Sequence, residues 1–219
     1  MSVLKPQYGP TLPELFGRLP RAARVAAVVV VVLLAAAALT TALRARSAET
    51  AVIIRGPATF NLVYGPRLER VAKTPALLAL RRERPDGLFL DSYIVRSLAL
   101  PAYRGNVGGV LPAFASGYLK RIRGRYASSL LAAEGRTRVN NAVGYEVVLK
   151  AKRRERTIYV RHLLLVPEEP EGARRGVAIE IESTSSAGTP NALEAGDAGP
   201  LKTALRSFRF GTSRSGGER

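Results

Sequence analysis

The chain has 219 residues, room for one compact domain with accessory segments but short for two full domains. It holds no cysteine and one histidine, which excludes disulfide frameworks, thiolate metal centres, cysteine nucleophiles and any site that needs two imidazoles. Hydrophobic residues make up 47%, enough for a packed core, and 34 basic against 17 acidic residues give a net charge of +17. That balance calls for an anionic neighbour such as a membrane surface, an envelope polymer or nucleic acid, and leaves the fold open.

The head carries prolines at 6, 10, 13 and 20, which prevent a continuous helix, so residues 1–24 read as a short Pro-rich cytoplasmic tail. The run from Val25 to Leu43, VAAVVVVVLLAAAALTTAL, follows: 19 residues with no charge, bracketed by Arg21 and Arg24 before it and Arg44 and Arg46 after it. As a helix it measures about 28 Å at ~1.5 Å per residue, close to the ~30 Å hydrocarbon thickness, and valine is no obstacle where backbone bonds must close within the helix. A cleaved signal peptide has a shorter apolar region, ~7–15 residues, and Val and Ala cover every face here without the polar stripe expected of a core helix in a chain of this size. The run therefore reads as an uncleaved transmembrane anchor with ends at Val25 and Leu43. Lys5, Arg18, Arg21 and Arg24 precede it against Arg44, Arg46 and Arg55 after it, a bias that keeps the head inside and places the large domain outside.

Residues 44–56 read as a linker, 57–211 as a globular α+β domain and 212–219 as a polar tail. Ala58 to Tyr64 is a strand stopped by Gly65-Pro66, and Leu77 to Arg82 pairs with Leu88 to Leu100 across a Pro85-Asp86-Gly87 turn. The glycine-rich stretch Gly105-Asn106-Val107-Gly108-Gly109 reads as a flexible connection. A helix then runs from Leu111 to Arg123, with apolar residues at spacings of three and four and Gly124 as its stop. A last short helix starts at Pro200, with Leu201, Ala204, Leu205 and Phe208 on one stripe.

Val143 to Lys150, Thr157 to Val166 and Val177 to Thr184 read as three successive antiparallel strands. Pairing residues that sum to 307 in the first hairpin and to 343 in the second puts Val143, Tyr145, Val147, Leu149, Ile158, Val160, His162, Leu164, Val166, Val177, Ile179 and Ile181 on one face. The other face then carries a ladder of Glu146, Arg161 and Glu182. On the apolar face, opposite Ile181, His162 reads as a core histidine hydrogen-bonded to a neighbour, because a general base needs an orienting acid and a nucleophile that no spacing supplies.

Gly105 to Gly109 matches neither a phosphate-binding P-loop nor a dinucleotide fingerprint, and Ser116 in FASGY lacks the glycines of a nucleophile elbow. Glu168, Glu169 and Glu171 share a loop with two prolines and read as a solvated connection. No catalytic residue, cofactor or metal site is expected. Three basic runs remain: Arg81 to Arg84, Lys120 to Arg125, and Lys152 to Arg156, whose Lys152, Arg153, Arg154 and Arg156 are the candidate contact with an anionic surface at a hairpin tip. These runs lack the interleaved aromatics of a single-strand nucleic-acid binder.

An opening FNLVYGP strand, paired strands, a long helix, the EGRTRVNNAVGYEVVL unit with Asn140-Asn141 leading into Gly144-Tyr145-Glu146, two more strands and the closing Ser207-Phe208-Arg209-Phe210 resemble the PsbP-like superfamily over residues 57–211. The resemblance implies an antiparallel β-sheet with helices on both faces, and a non-catalytic binding or assembly module often held outside the cytoplasm. The chain departs from the lipoprotein members of that group in lacking a lipobox cysteine and carrying an apolar helix in its place, and no functional residue transfers. The expectation is a single-pass plasma-membrane protein, its basic α+β domain extracytoplasmic. Its partners would be the bilayer and a membrane or envelope protein or anionic envelope polymer. The alternatives are a cytoplasmic-facing module contacting nucleic acid and an enzyme working with carboxylates alone.

Overall fold

The computed structural model describes residues 20–47, 49–168 and 174–212. The expected Pro-rich tail falls outside these residues except for its last five positions, as do Glu169 and Glu171 and all but the first residue of the expected polar tail. The chain divides into two units, Met1–Ala48 and Glu49–Arg219.

In the first unit, helix α1 runs from Arg21 to Ser47, 27 residues or about 40 Å. Val25 and Val28 through Leu34 are exposed on it. Counted over the described residues, no helix is long and apolar enough to cross a membrane; the side chains of residues 38–43, which complete the uncharged run in the sequence, lie outside that description.

The second unit is α+β. Its elements are β1 (Thr50–Ile54), β2 (Phe60–Tyr64), β3 (Glu69–Arg70), β4 (Leu78–Glu83), β5 (Phe89–Ala99), α2 (Val107–Arg123), β6 (Ser128–Val139), β7 (Ala142–Arg153), β8 (Arg156–Pro167), β9 (Arg175–Ser183), α3 (Gly199–Ser207) and β10 (Arg209–Phe210). Seven strands form one antiparallel sheet in the order β3-β4-β5-β9-β8-β7-β6, and a smaller sheet runs β1-β2-β10. The stretch expected as a linker contains β1, whose Thr50–Ile54 pairs residue for residue with Phe60–Tyr64. The glycine-rich connection is shorter than expected too. Helix α2 begins at Val107, because the Asn106 side chain accepts from the Gly108 N–H at 2.7 Å and caps it, and Pro112 is carried inside the helix.

The large sheet is buried on both faces. On one, Tyr93, Val95, Leu163, Leu165, Val177, Ile179 and Ile181 pack under Phe60 and Leu62 of the small sheet, Leu201 and Leu205 of α3, and Phe208, which joins α3 to β10. On the other, Leu111 and Ala115 of α2 meet Leu98, Leu164, Val166 and Ala178, and Ile122 meets Val147, Leu149, Ile158 and Val160.

The turn position explains one departure from the expected registers and double burial the other. The β7–β8 pairs sum to 309, Val148 opposite Arg161, because the turn sits one residue later, at Arg154-Glu155, with Arg154 at φ 55°. A shift of two keeps every side chain on its face, so Glu146 and Arg161 still meet, at 2.8 Å. The β8–β9 pairs sum to 342, with Arg161 opposite Ile181 and His162 opposite Glu180. That odd shift turns β9 over: Val177, Ile179 and Ile181 lie in the core against the small sheet, and Glu182 leaves the ladder for the face that carries α2. Alternation cannot choose between two apolar faces, and every residue of β9 after Arg175 is buried.

Candidate functional site

Helix α2 lies over β6 and β7 and ends at Arg123. Beyond it, on the same face of the sheet, the β4–β5 end opens into a cavity of about 730 Å³. Ala79, Phe89, Ile94 and Ile158 supply apolar lining, Ser92 and Glu182 polar lining, and Arg81, Arg153, Arg154 and Arg156 the charged part. The β4–β5 turn and the β7–β8 hairpin tip occupy the same end of the sheet, so two basic runs some seventy residues apart in sequence come together.

The four arginines are not equivalent. Arg153 donates from Nη1 to Glu182 Oε2 at 2.7 Å and from Nη2 to Oε1, and stacks over the Tyr126 ring at 5.6 Å. Tyr126 donates its hydroxyl to the same carboxylate at 3.2 Å; burial, then the adjacent Glu182 charge, holds its phenol far above the ordinary range, so it remains a donor. Glu182 is 3% exposed, so Arg153 and Tyr126 are the counter-groups of a buried charge. Arg81 pairs with Glu83 at 2.6 Å over the Phe89 ring. Arg154 and Arg156 form no ion pair among the described residues, which leaves two free cations at the hairpin tip, one on the turn and one opening β8. Lys152, on the alternate face of β7, does not line the cavity.

The third basic run serves structure. Arg125 donates to the buried Glu180 at 2.8 Å, with Arg96 at 3.9 Å, and Arg121 lies over the Tyr118 ring. Neither glutamate contact could be read from sequence, because both depend on which face β9 presents.

His162 is fully buried under α2. Its Nδ1 lies 3.1 Å from the Tyr118 hydroxyl, and Nε2 has no partner among the described residues. Burial, reinforced by the Arg125 and Arg96 charges, pushes its pKa down to about 3. The unfolded chain takes up a proton there below its ordinary value of about 6.5, while the folded chain resists until about pH 3. Stability therefore falls as pH drops through that window, by about 2 kcal/mol at pH 5. Denaturant titrations of the parent and a His162→Gln variant should diverge in slope between pH 6.5 and 5, the variant being flatter. Parallel curves would show that the imidazole is solvated. Among the described residues no group of three or more His, Asp or Glu is placed to hold a metal ion.

No family model matches the sequence, and no curated protein matches it. Solved structures do. Cyanobacterial PsbP (CyanoP) from Synechocystis sp. PCC 6803 is 13% identical, over 74% of this chain and 92% of that one, with a TM-score of 0.44. LpqN of Mycobacterium tuberculosis, involved in cell envelope biogenesis, is 11% identical over 74% and 91%, with a TM-score of 0.48. The Saccharomyces cerevisiae Ran-binding protein Mog1p is 14% identical over 74% and 94%, with a TM-score of 0.46. At such identities and TM-scores nothing about this chain's partners or chemistry follows from them. The antiparallel α+β architecture stands on the strand order and registers above.

Proposed function

We propose that the protein is a single-pass membrane-anchored, non-enzymatic binding or assembly module that presents its basic α+β domain on the extracytoplasmic side and receives an anionic group in the arginine-rimmed cavity. The uncharged run from Val25 to Leu43 within a 27-residue helix supports the anchor. The observation that carries the binding role is the meeting of an apolar floor with two unpaired arginines, Arg154 and Arg156, at one opening. The soluble part from residue 44 on holds 30 basic and 16 acidic residues, so its general field attracts the same ligand.

The full-length chain in zwitterionic nanodiscs should bind short polyphosphate chains, an anionic-polymer probe, with an affinity that weakens as salt rises. Each close arginine contributes about 1 kcal/mol at an anionic surface, so Arg154→Gln with Arg156→Gln should weaken binding about thirtyfold and leave the melting temperature unchanged. An affinity untouched by the pair would remove the cavity from the proposal. For the topology, a membrane-impermeant maleimide should label Ser215→Cys from outside intact cells. Labelling from the cytoplasmic side alone would reverse the proposed orientation.

A further inference from the structure

The two ends of the large sheet differ. At one, β3 is two residues long; at the other, β6 is a 12-residue edge strand paired, among the described residues, on one side only, with β7. Long free edges are normally interrupted by proline, charged side chains or bulges. β6 has no proline and one irregularity, between Leu131 and Ala133, so along the regular stretch Ala133–Val139 only the charges of Glu134, Arg136 and Arg138 guard the edge, and they deter pairing only where like charges would meet. Its even-numbered side chains, including Leu130 at 68%, are exposed.

We propose that this edge is an interface with a second copy of the chain, the two β6 strands pairing antiparallel about a two-fold axis at Gly135. In a two-fold antiparallel pair, residues opposite each other share a face, so their numbers sum to an even value. An axis at residue 134 would set Glu134 against itself, and one at 136 would set Arg136 against itself, both unfavourable. An axis at Gly135 sets Glu134 of each copy against Arg136 of the other and Ala133 against Thr137, with the residue that lacks a side chain at the crossing. Arg138 is already bound to Glu168 through both Nη atoms. Glu134 and Arg136 form no ion pair among the described residues, so the complementary charges are the ones left free.

The register makes the test sharp, because the chain has no cysteine. Directly opposed residues in an antiparallel pair have Cα atoms about 4.5–5.5 Å apart, within the ~4.4–6.8 Å range of a disulfide. A Cβ on Gly135 meets nothing within 4 Å among the described residues. In the proposed pair, Ala133 of one copy lies four residues along the strand from Ala133 of the other, about 14 Å at ~3.4 Å per residue. Mild oxidation of the full-length chain in membranes should therefore crosslink Gly135→Cys and leave Ala133→Cys and Thr137→Cys as monomers. Glu134→Arg in the Gly135→Cys background should lower the yield about tenfold, and adding Arg136→Glu should restore it. Both side chains are exposed, so neither change reaches the core. No crosslink at Gly135→Cys, equal crosslinking at all three positions, or failure of the double reversal to restore the yield would overturn the pairing.

Discussion

Reversing the charge at Arg161 is expected to cost the domain about 3 kcal/mol or more and to lower its melting temperature by roughly 6–12 °C. The guanidinium, 15% exposed, donates from Nε to Glu146 Oε2 at 3.0 Å and from Nη1 to Asp197 Oδ2 at 2.5 Å and to the Ala195 carbonyl at 3.3 Å. It thus ties the middle of β8 to β7 on one side and to the loop before α3 on the other. Arg161→Glu would gather three carboxylates around one spot and leave the carbonyl of the fully buried Ala195 without its donor. Removing one member of a buried ion pair typically costs 3–5 kcal/mol; Asp197 is 41% exposed and partly hydrated, which places the expectation at the lower end. Arg161→Met, which removes the charge without adding a third carboxylate, should fall between the parent and the reversal. A melting temperature unmoved by Arg161→Glu would mean that the three groups are solvated independently.

Half of this cluster is legible in sequence. Glu146 and Arg161 belong to strands joined by a two-residue turn, and local alternation puts them on one face whether the pairs sum to 307 or 309. Asp197 is not legible, since it lies in irregular chain 36 residues beyond Arg161 and no periodicity places it. Glu182 was the natural third member only while β9 showed its charged residues to that face. The sheet buries both faces, so the apolar residues of β9 satisfy either orientation, and the decision passes to the partners that await Glu180 and Glu182: Arg125 with Arg96, and Arg153 with Tyr126.

The cavity lies further from the sequence for a topological reason. The β4–β5 and β7–β8 hairpins are each evident from their turns, but β9, last of the seven in the chain, is inserted between them. Only that insertion sets Arg81 and the Arg153–Arg156 tip around one opening. The basic runs are visible in the sequence. Their different duties are not: Arg153 and Arg125 neutralise buried glutamates, whereas Arg154 and Arg156 remain free. A change at Arg153 thus tests folding, and changes at Arg154 and Arg156 test binding.

Phe208→Ala is the second large effect expected, about 3–5 kcal/mol. The ring is fully buried, 5.4 Å from Phe60 and 5.3 Å, edge to face, from Phe210. Truncation would open a void where α3, β2 and β10 close the core against the large sheet. The surroundings cannot easily collapse into it, because the backbone on either side is pinned. Asn140 donates to the carbonyls of Arg206 at 2.8 Å and Phe208 at 2.6 Å, Asn141 exchanges hydrogen bonds with both backbone groups of Phe210, and the Ser207 hydroxyl bonds both backbone groups of Val63. The two sequence patches that carry the PsbP-like resemblance, Asn140-Asn141 and the closing Ser207 to Phe210, are therefore two sides of one contact. Phe208→Leu, which keeps most of the volume, should recover more than half of the loss. A Phe208→Ala cost below 1 kcal/mol in urea titration would show that the closing segment contributes little to the core, and Asn141→Ala would then be silent as well.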